Sequence, residues 1–487
     1  MTLKQKTVSG LIWSFLDSFA SQGIQFIVGI VLARILSPKE FGLIGMLTIF
    51  IALSQSFIDS GFSQALIRKK DPSQADYSTV FYFNVIIGVI CFLILFFSAG
   101  PISRFFKEPQ LKHLIQVSGL LLIINAFTII QQTILTKKID FKLQAKITII
   151  SSVISGIVGL GMAFAGFGVW SLVIKTIILY AISSILLWLW NKWRPSIVFS
   201  IQSFKELFAF GSNLLISGLI DTIYGNIYYI VIGKYFSSQE LGYYTRAEQF
   251  KSLPSTNLSS VIRRVSYPVL SSIKEDIPKL KDAYKKLIRS TMLICFVLML
   301  GMAAIARPMI LTLIGEKWES CVIYLQMLCF VGILYPLHAL NLNMLEVEGR
   351  GDLFLRLEII KKSLAVPTVA IGVLFGVKIM IAGMILNSLI AYYLNSYWSG
   401  RFIGYSVREQ IKDILPSFLL AASMGVVVFV EGLTISLPPL PLLAIQLITG
   451  VLLVIGMCEA FHFRDYIYIK EIVTANLNKF KIKKNND

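Results

Sequence analysis

The chain alternates long apolar stretches with short polar segments. Many apolar stretches approach or exceed the roughly 20 residues that a helix needs to cross the hydrocarbon core of a bilayer. We therefore predict an all-α integral membrane protein with about 14 transmembrane helices. Their approximate bounds are 10–32, 42–64, 80–101, 113–135, 145–166, 168–190, 207–232, 249–270, 287–309, 321–343, 358–376, 378–398, 414–431 and 440–460. The eighth is the most polar of them and needs support from a second kind of observation.

The distribution of charge supplies that support. Only 15% of the 487 residues are charged, against roughly 25% in soluble domains. If the N-terminus is cytoplasmic and the loops alternate, 33 of the 45 Lys and Arg residues fall in cytoplasmic segments or at the cytoplasmic ends of spans, and eight fall in outer loops. Cytoplasmic loops of membrane proteins carry this excess of Lys and Arg. The net charge of +18 is thus explained by topology, and we expect no nucleic-acid partner. We predict a multi-pass membrane protein with both termini cytoplasmic.

An internal repeat is visible at an offset of 200 residues. The stretch VLARILSPKEFGLI begins at Val31, and VIGKYFSSQELGYY begins at Val231. The identical pairs are Val31/Val231, Ser37/Ser237, Glu40/Glu240 and Gly42/Gly242, and Arg34/Lys234 keeps its charge. We predict two parallel six-helix repeats, 1–200 and 201–400, around a central cavity. Two additional transmembrane helices (401–463) and a basic cytoplasmic tail (464–487) follow.

Several motifs are similar to those of a known family. They are GLIWSFLDSF, LARILSPKEFGLIGM, DSGFSQALIRKKD with DYSTVFYFN, KWRPSIVFS, FGSNLLISGLIDTIYGNIYYIVIGKYFSSQELGYYTRAEQF and GRGDLFLRLEIIKK. The chain resembles the polysaccharide-transporter (Wzx-type) branch of the superfamily that also holds multidrug extruders and lipid II flippases, and most closely its colanic-acid-exporter type. That resemblance implies a flippase of the bacterial inner (plasma) membrane that exports lipid-linked (polyprenyl-diphosphate) oligosaccharide across this membrane by alternating access. The implied partners are this substrate, membrane lipids, a polysaccharide polymerase and glycosyltransferases. The family has no catalytic signature, so the resemblance assigns no site residues.

Two carboxylates lie inside predicted spans at nearly matching places in the two repeats. They are Asp17 in the first span and Asp221 in the seventh. An ionisable group inside a membrane is costly and is a functional candidate by default. One interpretation is coupling to protons or sodium, because a carboxylate can bind a cation in one state and release it in another. The other is a carboxylate paired with a nearby Lys or Ser at a packed interface.

Five basic residues lie near the outer half of the predicted membrane: Arg34, Lys234, Arg246, Lys251 and Arg307. A guanidinium grips phosphate oxygens in bidentate fashion and an ammonium adds a point charge, so the set is suited to a diphosphate. The alternative is that these side chains extend to lipid headgroups. Asn257 belongs to the polar stretch of the eighth span. That stretch either lines a water-filled cavity or forms hydrogen bonds between helices.

The sequence offers little for catalysis. It contains no nucleotide-binding loop of the Walker type and no Asp-x-Asp, and its three histidines are far apart. The five cysteines have no metal-ligand spacing and are typical of small buried hydrophobes. We therefore expect no enzyme activity, no cofactor and no metal. Two alternatives to a flippase stay open: a drug/cation antiporter of the same superfamily, and a structural assembly protein of the polysaccharide machinery.

Overall fold

A computed structural model describes residues 3–471 and 474 of the chain, excluding the side chains of residues 3–12, 14–18, 260–261 and 263–265. The described chain is built of α-helices with one short 3-10 turn, and its described residues include no strand. The helices are α1 (Leu3–Ile35), α2 (Pro38–Asp59), α3 (Phe62–Arg68), α4 (Gln74–Phe106), α5 (Leu111–Ser118), α6 (Leu120–Lys137), α7 (Phe141–Phe164), α8 (Val169–Trp190), α9 (Ile201–Tyr235), α10 (Ser238–Ser272), α11 (Ile277–Ala304), α12 (Ala306–Leu313), α13 (Cys321–Gly332), α14 (Tyr335–Val347), α15 (Gly351–Phe375), α16 (Val377–Ile403), α17 (Val407–Thr434) and α18 (Pro439–Ala460). The predicted all-α class is therefore confirmed.

Eleven helices or helix pairs of the described residues are long and apolar enough to cross a membrane. Each coincides with one of the predicted spans. The other three predicted spans fall on α1, α10 and α15, which are helices of 33, 35 and 25 residues. The count of fourteen spans stays a prediction. The basic tail predicted at 464–487 lies mostly outside the described residues, which there include only 464–471 and 474.

The contacts divide the chain into two compact units, Met1–Gly242 and Tyr243–Asp487. In the first unit α1 packs along α7, and α9 packs on α2, α3 and α4. In the second unit α11 packs along α17, and α16 packs on α13, α14 and α15. The first compact unit thus ends 42 residues beyond the predicted repeat boundary at residue 200 and includes α9. The boundary between the repeats remains a prediction about duplication in the sequence.

Three of the described stretches that are long and apolar enough to cross a membrane consist of two consecutive helices. The second span ends α2 at Asp59, turns through Ser60 and Gly61 with positive φ values of 45° and 71°, and continues as α3. Glycine adopts a positive φ without steric cost. The carbonyl of Ser60 would lie 2.5 Å from a Cβ placed on Gly211, so α9 crosses this turn with its backbone in close contact.

The other two breaks occupy corresponding places in the predicted repeats. Gly119 lies between α5 and α6 within the fourth span, where the backbone keeps helical dihedrals (φ −57°, ψ −26°) and the interruption is slight. Ile333 and Leu334 separate α13 from α14 within the tenth, where Pro336 follows in the first turn of α14. A pair of interrupted hydrophobic segments at corresponding positions in two halves is a feature that points to transport sites. The helices around these interruptions are therefore candidates for the transport site.

Candidate functional site

Helix α9 carries a polar stripe on its exposed surface. Asn213, Ser217 and Asp221 are all exposed and recur every four residues, so they lie along one side of the helix. The neighbouring exposed positions include Ile216 at 58% and Ile220 at 50% exposure. The exposed part of α9 thus has two sides: a polar side that suits contact with water and an apolar side that suits contact with hydrocarbon.

Helix α10 shows a similar division in the second unit. Gln249, Thr256 and Asn257 are exposed on one side. The opposite side is buried and includes Ser255 and Ser266, both at 0% exposure. The hydroxyl of Ser255 donates a hydrogen bond to the carbonyl oxygen of Lys251, in the same helix, at 2.9 Å. Such bonding within the helix allows a hydroxyl to be buried without a partner on another helix.

Lys251 lies on the buried side of α10 and is completely enclosed. Its ammonium donates to Glu248 Oε1 at 2.7 Å and to the hydroxyl of Tyr335 at 3.4 Å. It also lies 4.5 Å from the centroid of the Tyr335 ring, a distance at which a cation is attracted to the aromatic face. The aliphatic stem of Lys251 would lie 2.8 Å from a Cβ on Gly332, so the glycine makes room for it. Lys251 therefore joins the middle of α10 to the break between α13 and α14.

A buried network of hydrogen bonds continues from this break through the second unit. His338 Nε2 lies 3.1 Å from the hydroxyl of Ser388 on α16. Asn341, one turn farther along α14, accepts from the hydroxyl of Tyr284 at 3.0 Å and donates to Ser396 Oγ at 3.2 Å. Buried polar groups need such partners because an unsatisfied one costs about 1–3 kcal/mol. The network ties α11, α14 and α16 together with defined geometry.

Arg34 and Lys234, which are paired in the predicted repeats, lie in the last turns of α1 and α9. Arg34 is exposed. Lys234 is half-buried, donates to the carbonyl oxygen of Phe105 at 2.6 Å, and lies 4.1 Å from the centroid of the Phe105 ring. Phe105 thus fixes the direction of the Lys234 ammonium at the end of α9.

The two remaining basic residues of the predicted site, Arg246 and Arg307, have different environments. Arg246 is buried, lies 5.9 Å from the centroid of the Trp318 ring and donates to Gln249. Arg307 is largely exposed on α12, where its Nε and Nη2 donate to one oxygen of Glu319 at 3.2 and 2.9 Å. Arg246 and Lys251 are thus both buried on α10 with different partners, whereas Arg307 pairs with Glu319 at an exposed position.

The two predicted carboxylates differ in how far the structure describes them. Asp221 is exposed on the polar stripe of α9. The side chain of Asp17 lies outside the described residues, although α1 passes through that position. No described group of three or more His, Cys, Asp or Glu side chains is arranged to hold a metal ion.

Gly42 and Gly242, which are paired in the predicted repeats, lie at a reciprocal backbone contact in the first unit. A Cβ on Gly42 would lie 1.6 Å from the carbonyl oxygen of Ser238, and one on Gly242 would lie 1.9 Å from that of Pro38. The first turns of α2 and α10 therefore touch backbone to backbone. Glu108 secures the same region, because it accepts from Ser238 Oγ at 2.7 Å and pairs with Lys39 at 3.6 Å.

Sequence reasoning missed the partners of Lys251. The spacing of Glu248 and Lys251 by three residues was a usable signal, because side chains three apart meet on a helix surface. No sequence signal indicated Tyr335 or Gly332, which are more than 80 positions away. The repeat pattern in the sequence pairs Gly42 with Gly242, but it gives no indication that each glycine contacts the helix of the other.

Comparison with known proteins identifies the fold and the family. The sequence matches the family described as "Polysaccharide biosynthesis protein" over residues 31–323. It is 28% identical over 438 residues to the teichuronic acid biosynthesis protein TuaB of Bacillus subtilis (strain 168), covering 88% of this chain and 89% of that protein. It is 27% identical over 450 residues to the lipopolysaccharide biosynthesis protein WzxC of Escherichia coli (strain K12), with the same coverage of both chains.

A solved structure shares the architecture. The chain is similar to the lipid II flippase MurJ in its inward closed conformation, with a TM-score of 0.75 and 16% identity over 94% of this chain and all of that one. At this identity the likeness establishes a MurJ-like helical fold and no more. The resemblance to polysaccharide transporters that the motifs indicated is confirmed. Since the family match covers more than half of the sequence, this multi-pass membrane chain belongs to the polysaccharide biosynthesis protein family.

Proposed function

We propose that this protein is a flippase that exports lipid-linked (polyprenyl-diphosphate) oligosaccharide across the inner membrane by alternating access. The observation that carries the proposal is the exposed polar stripe of α9, formed by Asn213, Ser217 and Asp221. Polar and ionisable side chains within the hydrocarbon region face protein or a water-filled cavity, because contact with lipid is costly. A hydrophilic oligosaccharide needs such a wet path.

The relatives support the same class of cargo. Their names refer to teichuronic acid and lipopolysaccharide biosynthesis, and the structural neighbour is named a lipid II flippase. These names describe transport and synthesis of saccharides, and none describes a nucleotide-driven pump. We accordingly propose a transporter without catalytic residues. A polymerase and glycosyltransferases are its proposed partners in the pathway.

The proposed topology has fourteen spans and both termini in the cytoplasm. It adds α1, α10 and α15 to the eleven apolar helices, and it rests on the 33-to-8 distribution of Lys and Arg. The matching breaks at Gly119 and Ile333–Leu334 support the proposed pair of six-helix repeats. So does the reciprocal contact of Gly42 and Gly242, which are equivalent residues in those repeats.

The proposed substrate groups divide by their environment. Arg34, which is exposed, and Lys234, which is oriented by Phe105, are the proposed direct contacts for the diphosphate. Lys251 is enclosed and paired with Glu248, so its proposed role is to hold α10 against α14 and to contribute positive charge at a distance. In the second unit Asn257, whose side chain is exposed on α10, is the proposed contact for the substrate. Arg246 is buried, so its proposed contribution is positive charge at a distance, like that of Lys251.

The proposed coupling residue is Asp221. It belongs to the exposed stripe, where a proton or sodium ion could reach it through water. Asp17 stays a second candidate on its position in the repeat alone. A drug/cation antiporter is the less favoured alternative, because exposed amides, hydroxyls and a carboxylate suit a sugar better than an apolar drug.

Cysteine accessibility tests the proposal. Cys91 is half-buried and the other four cysteines are buried, so a Cys91→Ala background removes the one native thiol that is partly accessible. We expect Ser217→Cys to react with a charged, membrane-impermeant thiol reagent in proteoliposomes, and the lipid-linked oligosaccharide to slow that reaction. Ile216→Cys, on the adjacent apolar side, is the matched control and should react slowly. Equal reactivity of the two positions, or no protection by the substrate, would contradict the proposed wet path.

A further inference from the structure

The second unit contains an apolar groove that the proposed transport path does not use. Helices α11, α13 and α17 form a cavity of about 480 Å³. Its lining is almost entirely apolar and includes Leu300, Met327, Phe330, Phe418, Val426 and Phe429. Small residues of α17, among them Ala422 and Gly425, form its floor. From Phe418 to Phe429 the groove follows α17 for about 16 Å, at 1.5 Å per residue.

The groove is open to the surroundings of the helices. Val426 is 62% exposed, and Phe330 and Phe429 are each 43% exposed. A groove so apolar has nothing to offer the hydroxyls of a sugar, whereas hydrocarbon fits it without any loss of hydrogen bonds. Its size is also that of a ligand site, for which roughly 300–1,000 Å³ is typical. Its contents are therefore expected to be a hydrocarbon chain.

A polar end adjoins this groove. A second cavity of about 120 Å³ shares the lining residues Ala304, Gln326 and Phe429 with the first, so the two lie side by side. Arg307 of α12 lines this second cavity. The partner of Arg307 is Glu319, whose carboxylate lies 2.9 Å from Nη2. The groove thus ends beside one positive and one negative group that lie side by side.

We propose that this groove is a binding site for a zwitterionic phospholipid with a primary ammonium headgroup. One acyl chain occupies the groove between α11, α13 and α17, the phosphodiester binds Arg307, and the headgroup ammonium donates to Glu319. Two of the five guanidinium N–H groups of Arg307 already donate to Glu319. The other three make no hydrogen bond to the described residues that would compete with a phosphate.

Charge complementarity selects this lipid over an anionic one. A lipid with only a phosphate would place its uncompensated negative charge next to the Glu319 carboxylate. A phosphate followed by an ammonium presents opposite charges to both members of the pair. The pair is also exposed, with side chains at 66% and 58%, and exposed ion pairs are weak enough for a ligand to share.

Retention of lipids by the purified protein tests the site. Native mass spectrometry would count the lipids that remain bound after exposure to equimolar phosphatidylethanolamine, phosphatidylcholine and phosphatidylglycerol. We expect phosphatidylethanolamine to be retained most. Arg307→Gln and Glu319→Gln should each lower its retention by about tenfold, since each removes one charge-assisted hydrogen bond. Ala422→Phe should abolish retention by filling the groove.

Matched controls separate binding from folding. Lys378→Gln removes a charge at the start of α16, and Leu452→Phe enlarges an exposed side chain of α18. Both should retain lipid like the wild type, and all variants should share its unfolding temperature. Equal retention of the three lipids, preference for phosphatidylglycerol, or retention unchanged in Arg307→Gln and Glu319→Gln would overturn the proposal. Polyprenyl phosphate that displaces phosphatidylethanolamine from the wild type would do so too, because it would assign the groove to the cargo.

Discussion

The close contact at Gly42 and Gly242 allows a test of whether the distance between the first turns of α2 and α10 affects transport. Replacement of Gly42 by Ala would place a Cβ 1.6 Å from the Ser238 carbonyl oxygen, a backbone atom that cannot rotate away. The Gly242→Ala change would place one 1.9 Å from the Pro38 carbonyl oxygen. Each alanine therefore forces the first turns of α2 and α10 to separate.

The size of that separation follows from the geometry. Real Cβ atoms essentially never approach another heavy atom closer than 3.0 Å. Gly42→Ala thus requires a displacement of about 1.4 Å and Gly242→Ala one of about 1.1 Å. Overpacking of this kind typically costs about 1–3 kcal/mol, and a state in which the two turns are apart escapes that cost. A bias of that size changes the ratio of two conformations by about 5- to 150-fold.

Spin labels provide the assay. Lys39 and Gln239 are exposed beside the contact, so labels there report the distance between the two turns in proteoliposomes. We expect each alanine variant to lengthen that distance and to slow flipping of a labelled lipid-linked oligosaccharide. The double variant should cost less than the two single changes together, because the first separation already makes room for the second Cβ.

A control variant tests whether the effect is specific to this contact, and two outcomes would contradict the prediction. Gly161 lies within α7 and a Cβ there would meet nothing within 4 Å, so Gly161→Ala should leave both the distance and flipping unchanged. If Gly42→Ala gave the wild-type distance and the wild-type rate, the contact would be a passive feature of packing. Strictly additive effects of the two alanines would also refute the reciprocal contact.

Other predictions concern the buried lysine, the topology and the coupling. Lys251→Met should lower the unfolding temperature, since it leaves the Glu248 carboxylate, whose side chain is only 24% exposed, without its partner at a cost of about 1–3 kcal/mol, and adding Glu248→Gln should restore part of the loss. A cysteine at Ser237 should be labelled from outside intact cells and one at Lys279 should not; the reverse pattern would invert the proposed topology. Asp221→Asn should lower flipping driven by a proton or sodium gradient and leave flipping driven by membrane potential largely intact. Wild-type rates under every gradient would assign Asp221 a structural role.

Much of the architecture could be predicted from the order of residues. All eleven apolar helices or helix pairs of the described residues coincide with predicted spans, and the polar character of α10 is evident from its residues alone. Transfer of a side chain from water to hydrocarbon depends mainly on that side chain, so its contributions add along a span. Such a sum needs no knowledge of neighbours in space.

The breaks within spans could not be predicted in this way. A hydropathy sum over about 20 residues is nearly blind to the turn at Ser60–Gly61 or to the interruption at Gly119. A broken helix keeps the same composition as a continuous one. Packing decides the outcome, as the close contact of Gly211 with the turn after α2 illustrates.

The roles of the charged residues divide in the same manner. The sequence by itself determined that Arg34, Lys234, Arg246, Lys251 and Arg307 are basic, and it predicted that they lie near one side of the membrane. Only the tertiary structure decided that Lys251 is enclosed with Glu248 and Tyr335, that Lys234 is directed by Phe105, and that Arg307 lies at an apolar groove. The physical reason is that a charge is a property of one residue, whereas its solvation and its partners depend on helices that are distant in sequence and adjacent in space.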